Sequence, residues 1–176
     1  VYNERTSDVL IKPNPRDREV IVSIEGSDSI VNWFDNVCVA KRNDVHIGFR
    51  TYATHCKRKY KLHKTLKRYK DHKMYFCGHS LGAAAVALIA NDFSAEFDIE
   101  LVLFGCPNIG GHEFRSRFAS NDVLVFSYVM NHDIVPHLPF GLLGYTPLIT
   151  ETTEFESAYN KFRLIQNHSM QTYIDE

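Results

Sequence analysis

The apolar positions along this chain fall into two alternating kinds of pattern. Short runs rich in branched and aromatic side chains, at 9–11, 19–24, 74–77, 100–104 and 123–130, predict strands. The last three are almost continuously apolar, as expected of a sheet covered on both faces. Helical spacing takes over at 49–69, 81–92 and 112–119. In the first of these, Tyr52, Cys56, Tyr60, His63 and Leu66 share one face, while Lys57, Lys61, Lys64 and Arg68 lie opposite, which predicts one long amphipathic helix. A turn at 12–17, carrying Pro13 and Pro15, joins the first two strands. Strands alternating with helices at this spacing predict right-handed crossovers and a mostly parallel central sheet. The expectation is one α/β domain over residues 1–176.

Composition narrows this little. A hydrophobic share of 44% and a charged share of 23% are ordinary for a globular chain, and a net charge of -1 gives no global attraction to nucleic acid. No apolar run is long enough to span a bilayer as a helix, and the first residues do not read as a signal peptide. Cys38, Cys56, Cys77 and Cys106 form no C-x-x-C pair and read as small core thiols. Together these features favour a reducing, cytoplasmic setting, or a secreted one if a leader has been removed. The nine histidines lack metal-site spacing, so neither a metal nor an organic cofactor is expected. One charge asymmetry stands out, the basic stretch 57–70. It reads as a solvated helix face, or as a surface for peripheral contact with anionic lipid.

The chemistry concentrates at Gly78-His79-Ser80-Leu81-Gly82, between an apolar strand and an alanine-rich helix. Small residues on both sides allow a sharp strand-to-helix turn that lifts the serine oxygen clear, and the Leu81 N–H at the helix start can serve an oxyanion. A serine in this setting needs a histidine base and an acid to orient it, in the chain order serine, acid, histidine. Asp133, just past the strand ending at Met130, is the candidate acid. His168 is the candidate base, because His137 stands too close to Asp133 in sequence to reach Ser80. His46, His79 and His132 read as packing or turn residues. Gly26-Ser27, after the second strand, can present Ser27 N–H as the other oxyanion donor. Ile30, Trp33, Phe34 and Val37 recur at helical spacing within 28–37, a segment that reads equally as a core helix or as a lid over the site.

Several segments then resemble the class 3 lipase family, of the fungal triacylglycerol-lipase type, in the family's order: Gly26-Ser27 with Ser29 to Trp33, Val45 to Phe49, Gly78 to Ala83, Phe104 to Pro107, Asp133 to Pro139, and His168 to Met170 with Tyr173. The resemblance implies an α/β-hydrolase fold with helices on both sheet faces and a short helical lid. It implies Ser80 as nucleophile, Asp133 as acid and His168 as base, with Ser27 and Leu81 at the oxyanion hole and Ile30, Trp33, Phe34 and Val37 in the lid. Fatty-acyl esters such as acylglycerols are the implied substrates. A phospholipase, a short-chain esterase and a catalytically inactive lipid-binding protein remain as alternatives. The pattern departs at Glu25, where the family usually carries arginine, in the compressed connection 38–44 after the lid segment, and in the short region between Asp133 and His168.

Overall fold

A computed structural model describes residues 4–5, 8–26, 40–149, 152–155 and 168–175. Seven strands form the main sheet: β1 (Glu4–Arg5), β2 (Val9–Asn14), β3 (Glu19–Ile24), β6 (Lys73–His79), β7 (Ile99–Phe104), β8 (Leu124–Met130) and β9 (Thr153–Phe155), in that spatial order. The pairs β1/β2 and β2/β3 are antiparallel, and every pair from β3 to β9 is parallel. A separate hairpin, β4 (Lys41–Arg42) with β5 (Val45–His46), turns through Asn43 and Asp44 at φ 52 and 61. Two consecutive left-handed residues of this kind make the primed turn that matches strand twist. The β2–β3 hairpin is tighter than its sequence suggests. Strand pairing continues through Pro13, opposite Val20, and Asn14 donates to Asp17 at 2.6 Å across the turn.

Among the described residues the helices are α1 (Ile47–Lys59), α2 (Leu62–Leu66), α3 (Leu81–Phe93), α4 (His112–Ala119) and α5 (Met170–Asp175). The long helix expected over 49–69 is therefore broken. Lys61 adopts a left-handed conformation (φ 48, ψ 41) between α1 and α2. At about 100° per residue, an unbroken helix would place Leu62 about 120° from the buried Cys56, at the margin of the apolar face. With the break, Leu62 and Leu66 are both fully buried, while His63, expected on the apolar face, lies on the surface against Glu96, at 2.6 Å. Lys67 shares that glutamate, and 62–70 leads directly into the start of β6. The basic stretch thus ends at the edge of the sheet opposite to Ser80. Seven residues of β6 separate the two, a span of about 20 Å.

Helix α3 is buried from Leu81 to Ala90, between the sheet and α1. Its run of alanines gives the close approach that a helix packed on opposite sides requires. Arg50 and Lys57 of α1 both bond Asp92 of α3. Burial alone would raise the Asp92 pKa, but these two cations hold it below the usual carboxylate value. The strands alternate buried and half-buried positions. On the face turned toward α3, Met74, Phe76, Leu101 and Leu103 are buried. The other face carries Tyr173 of α5 against Phe104 and His79 at its C-terminal end, and Ile21, Leu124 and Phe126 are exposed on it. No described helix is long and apolar enough to cross a membrane.

Candidate active site

The parallel strands deliver their C-terminal ends to one edge, the usual place for chemistry in an open α/β sheet. Gly26 follows β3, Ser80 follows β6, Gly105 follows β7, and Asp133 lies three residues beyond β8. Ser80 sits at φ 58, ψ -124, far from helix or strand geometry, with its N–H donating to Phe104 O at 3.0 Å. The turn needs its glycines. A Cβ on Gly78 would lie 2.5 Å from the Gly82 carbonyl carbon, and one on Gly82 would lie 2.2 Å from Ile24 O. The sequence between strand and helix therefore folds as the sharp elbow expected of it, and Leu81 N–H opens α3 among the donors that lack an intrahelical carbonyl.

Asp133 is buried at 1% exposure and accepts three hydrogen bonds. Val135 N–H reaches Oδ1 at 2.9 Å, and Oδ2 takes both His168 Nδ1 at 2.7 Å and the Tyr173 hydroxyl at 2.8 Å. That hydroxyl in turn accepts Met130 N–H at 2.9 Å. Burial, and then the Asp133 charge, push the Tyr173 pKa up, so the phenol stays a donor. With Nδ1 bound to the carboxylate, His168 directs Nε2 away from it. Nε2 and Ser80 Oγ are both buried, and among the described residues neither has a hydrogen-bond partner. The Ser80–His168 bond is thus not made in this structure. Such contacts are often open without substrate. Ser80 is 1% and His168 4% exposed, so both lie below the surface.

Two neighbours fix the imidazole. His79, in the elbow, stacks on His168 with centroids 4.5 Å apart and 30° between the planes. Burial, and then the nearby His168, lower the His79 pKa to about 4, so it stays neutral beside the site. Gly105, at φ +53, lies against the same ring, where a Cβ would be 2.9 Å from His168 Cε1 and 3.0 Å from the Tyr173 oxygen. Sequence reasoning assigned no role to Gly105 and only packing to His79. It named Tyr173 as part of a resemblance, without its bond to Asp133. A glycine directly after an apolar strand, and a tyrosine five residues past the candidate base, were the available signals.

His46 caps α1, its Nδ1 accepting Gly48 N–H at 3.0 Å, and burial lowers its pKa to about 4. Beside Asp133 lies a cavity of about 290 Å³, lined in part by Cys106, Asn108, Met130, Pro136 and Leu148. Burial pushes the Cys106 thiol up to about 12, which makes it a poor nucleophile. Cys56, Cys77 and Cys106 are free. Among the described residues no group of three His, Cys, Asp or Glu side chains could hold a metal. Ser27 and the lid candidates Ile30, Trp33, Phe34 and Val37 lie outside the described residues. Gly26 lies within them, its backbone so close to the elbow that a Cβ would stand 2.7 Å from His79 O.

The family pattern described as Lipase (class 3) matches residues 21–142, more than half of the chain. The chain belongs to the class 3 lipase family. It is 36% identical over 96 residues to Phospholipase A1-IIdelta of Arabidopsis thaliana, covering 50% of this chain and 23% of that protein. To Secreted mono- and diacylglycerol lipase 1 of Fusarium solani it is 26% identical over 140 residues, 73% of this chain and 41% of the other. Among solved structures it is similar to the native Rhizomucor miehei lipase propeptide complex, with a TM-score of 0.71 and 23% identity. That likeness covers 86% of this chain and 52% of the other, and at this identity it speaks for the fold alone. The class 3 lipase chain described here thus spans less than half of the relatives named and about half of that structure.

Proposed function

We propose that this class 3 lipase chain is a serine carboxylester hydrolase acting on fatty-acyl esters. His168 Nε2 takes the Ser80 hydroxyl proton as Oγ attacks the ester carbonyl, and Leu81 N–H with Ser27 N–H holds the oxyanion. As the tetrahedral adduct collapses, the C–O bond to the alcohol breaks and His168 returns the proton to the leaving oxygen. Water, deprotonated by the same Nε2, then cleaves the acyl-enzyme and regenerates Ser80. Asp133 keeps Nδ1 protonated and stabilises the imidazolium formed in each step. Residues 28–37 act as the lid, with Ile30, Trp33, Phe34 and Val37 facing lipid when it opens.

One observation carries the reading. A serine at a strained strand–helix turn shares the sheet edge with a buried His168 that is oriented by Asp133 and has Nε2 unengaged. The 36% identity to a phospholipase A1 favours glycerophospholipids as a second substrate class. Hydrolysis of a p-nitrophenyl ester series by wild type and Ser80→Ala tests the mechanism. The variant is expected to lose on the order of a millionfold in turnover. Equal turnover in the two proteins rules out Ser80 as nucleophile. No turnover by folded wild type, on soluble esters or on emulsified lipid, leaves a lipid-binding protein. Release of fatty acid from phosphatidylcholine, compared with triacylglycerol, separates the two substrate classes.

A further inference from the structure

His79 stands directly before the nucleophile, yet its side chain lies on the face of the sheet that carries the base. Along β6, Met74 and Phe76 turn toward α3, so His79 turns to the other face, level with Phe104 of β7. There the segment leading into α5 lays the His168 ring on the His79 ring, with centroids 4.5 Å apart. Tyr173 meets His79 edge-on at 5.5 Å, and the His79 ring also hydrogen-bonds the His168 backbone. Among the described residues His79 is the one ring stacked on His168. Gly105, pressed against Cε1 and Nδ1, has no side chain to offer.

Packing alone does not account for an imidazole here. His79 Nε2 is buried with no hydrogen-bond partner, although buried polar atoms are as a rule bonded. Leucine or phenylalanine would fill the place without desolvating a nitrogen. The groups that act on His79 are His168 and Tyr173 beside it and Asp133 beyond them. The Asp133 charge and the bond to the His168 backbone favour a protonated ring, but burial and the His168 charge outweigh them, and His79 stays neutral. Asp133 meets the His168 charge in the ring plane, at Nδ1. The face of a neutral aromatic ring attracts a cation as well.

We propose that His79 is a positioning residue for the base: its neutral ring lies on the face of His168 and stabilises the imidazolium that forms there in each proton transfer. The proposal rests on the Ser80–His168 reading and deepens it. The residue next to the nucleophile sets the basicity of the group that activates it.

The test is an NMR titration of the His168 Cε1 proton, identified by its absence in His168→Asn, in wild type, His79→Leu and His79→Phe. Leucine removes the aromatic face, and phenylalanine keeps it while losing the backbone hydrogen bond. The His168 midpoint is expected to fall by about half a pH unit or more in His79→Leu, and to stay close to wild type in His79→Phe. On p-nitrophenyl butyrate, kcat should fall at least about threefold in His79→Leu at unchanged KM, with recovery in His79→Phe. A His168 midpoint unmoved in His79→Leu overturns the proposal, whatever the rate or the unfolding temperature does. So does a midpoint that falls in His79→Phe, a reading that decides the matter even if His79→Leu does not fold. The titration needs no substrate. Failure of the triad reading shows separately, as wild-type turnover that survives Ser80→Ala.

Discussion

Gly105→Ala isolates the placement of the imidazole from every group that reacts. The added methyl carbon would stand 2.9 Å from His168 Cε1 and 3.0 Å from Nδ1, where ordinary contact begins near 3.4 Å. The ring must therefore retreat by roughly half an ångström or more. Alanine at φ +53 also costs about 1–2 kcal/mol in backbone strain. Against a total stability of about 5–15 kcal/mol, the variant still folds. A 1 Å misplacement of a catalytic group typically costs about a hundredfold, so kcat/KM on p-nitrophenyl butyrate should fall roughly 10- to 100-fold. Gly141→Ala is the control, because a Cβ there meets nothing within 4 Å. It should match wild type in rate and in urea midpoint. A Gly105→Ala protein that loses stability yet turns over at the wild-type rate would falsify the claim that this glycine sets the His168 position.

Tyr173→Phe removes a hydrogen bond to the Asp133 carboxylate and strands Met130 N–H. Bonds to charged groups contribute about 1.5–3 kcal/mol, so kcat should drop about tenfold with KM on a short ester unchanged. A lower unfolding temperature at unchanged kcat would make the tyrosine merely structural. Gly82→Ala drives a methyl to 2.2 Å from Ile24 O, a backbone atom that cannot swing aside. The loss should be at least about 3 kcal/mol, read as insoluble protein or a collapsed urea midpoint, and a soluble variant of wild-type stability refutes it. His46 and His79 both have pKa values lowered to about 4 by burial, so between pH 6.5 and 4 the unfolded chain binds protons that the folded one does not. Stability should therefore fall as pH drops through that window, by up to roughly 3 kcal/mol for each histidine. His46→Asn keeps a capping oxygen and should remove the His46 share of the slope. An unchanged slope in urea titrations across this window counts against the assignment.

The elbow was legible because its determinants are local. An apolar strand, small residues around a serine and an alanine-rich helix are all contiguous, and the turn at Ser80 follows from them. Chain order then pointed to Asp133 and His168, and they meet at 2.7 Å. The break at Lys61 was not legible, because the pattern over 49–69 fits a single helix nearly as well as two. Only the competition for core space, won by Leu62 and Leu66, decides between them.

What the sequence determined by itself was the order of the longer strands and helices, the strained serine turn and the residue types able to work with it. Each follows from propensity and spacing within a few residues. Only the tertiary structure decided what holds those residues in place. Tyr173 reaches Asp133 across 40 positions, and Gly105 cradles a ring 63 positions further along the chain. The basic stretch spans the sheet from one edge to the other, with Lys59 on Asp8 beside Glu25 at one end and His63 and Lys67 on Glu96 at the other. Such relations depend on distances through space, which the parallel sheet creates and the linear pattern does not contain.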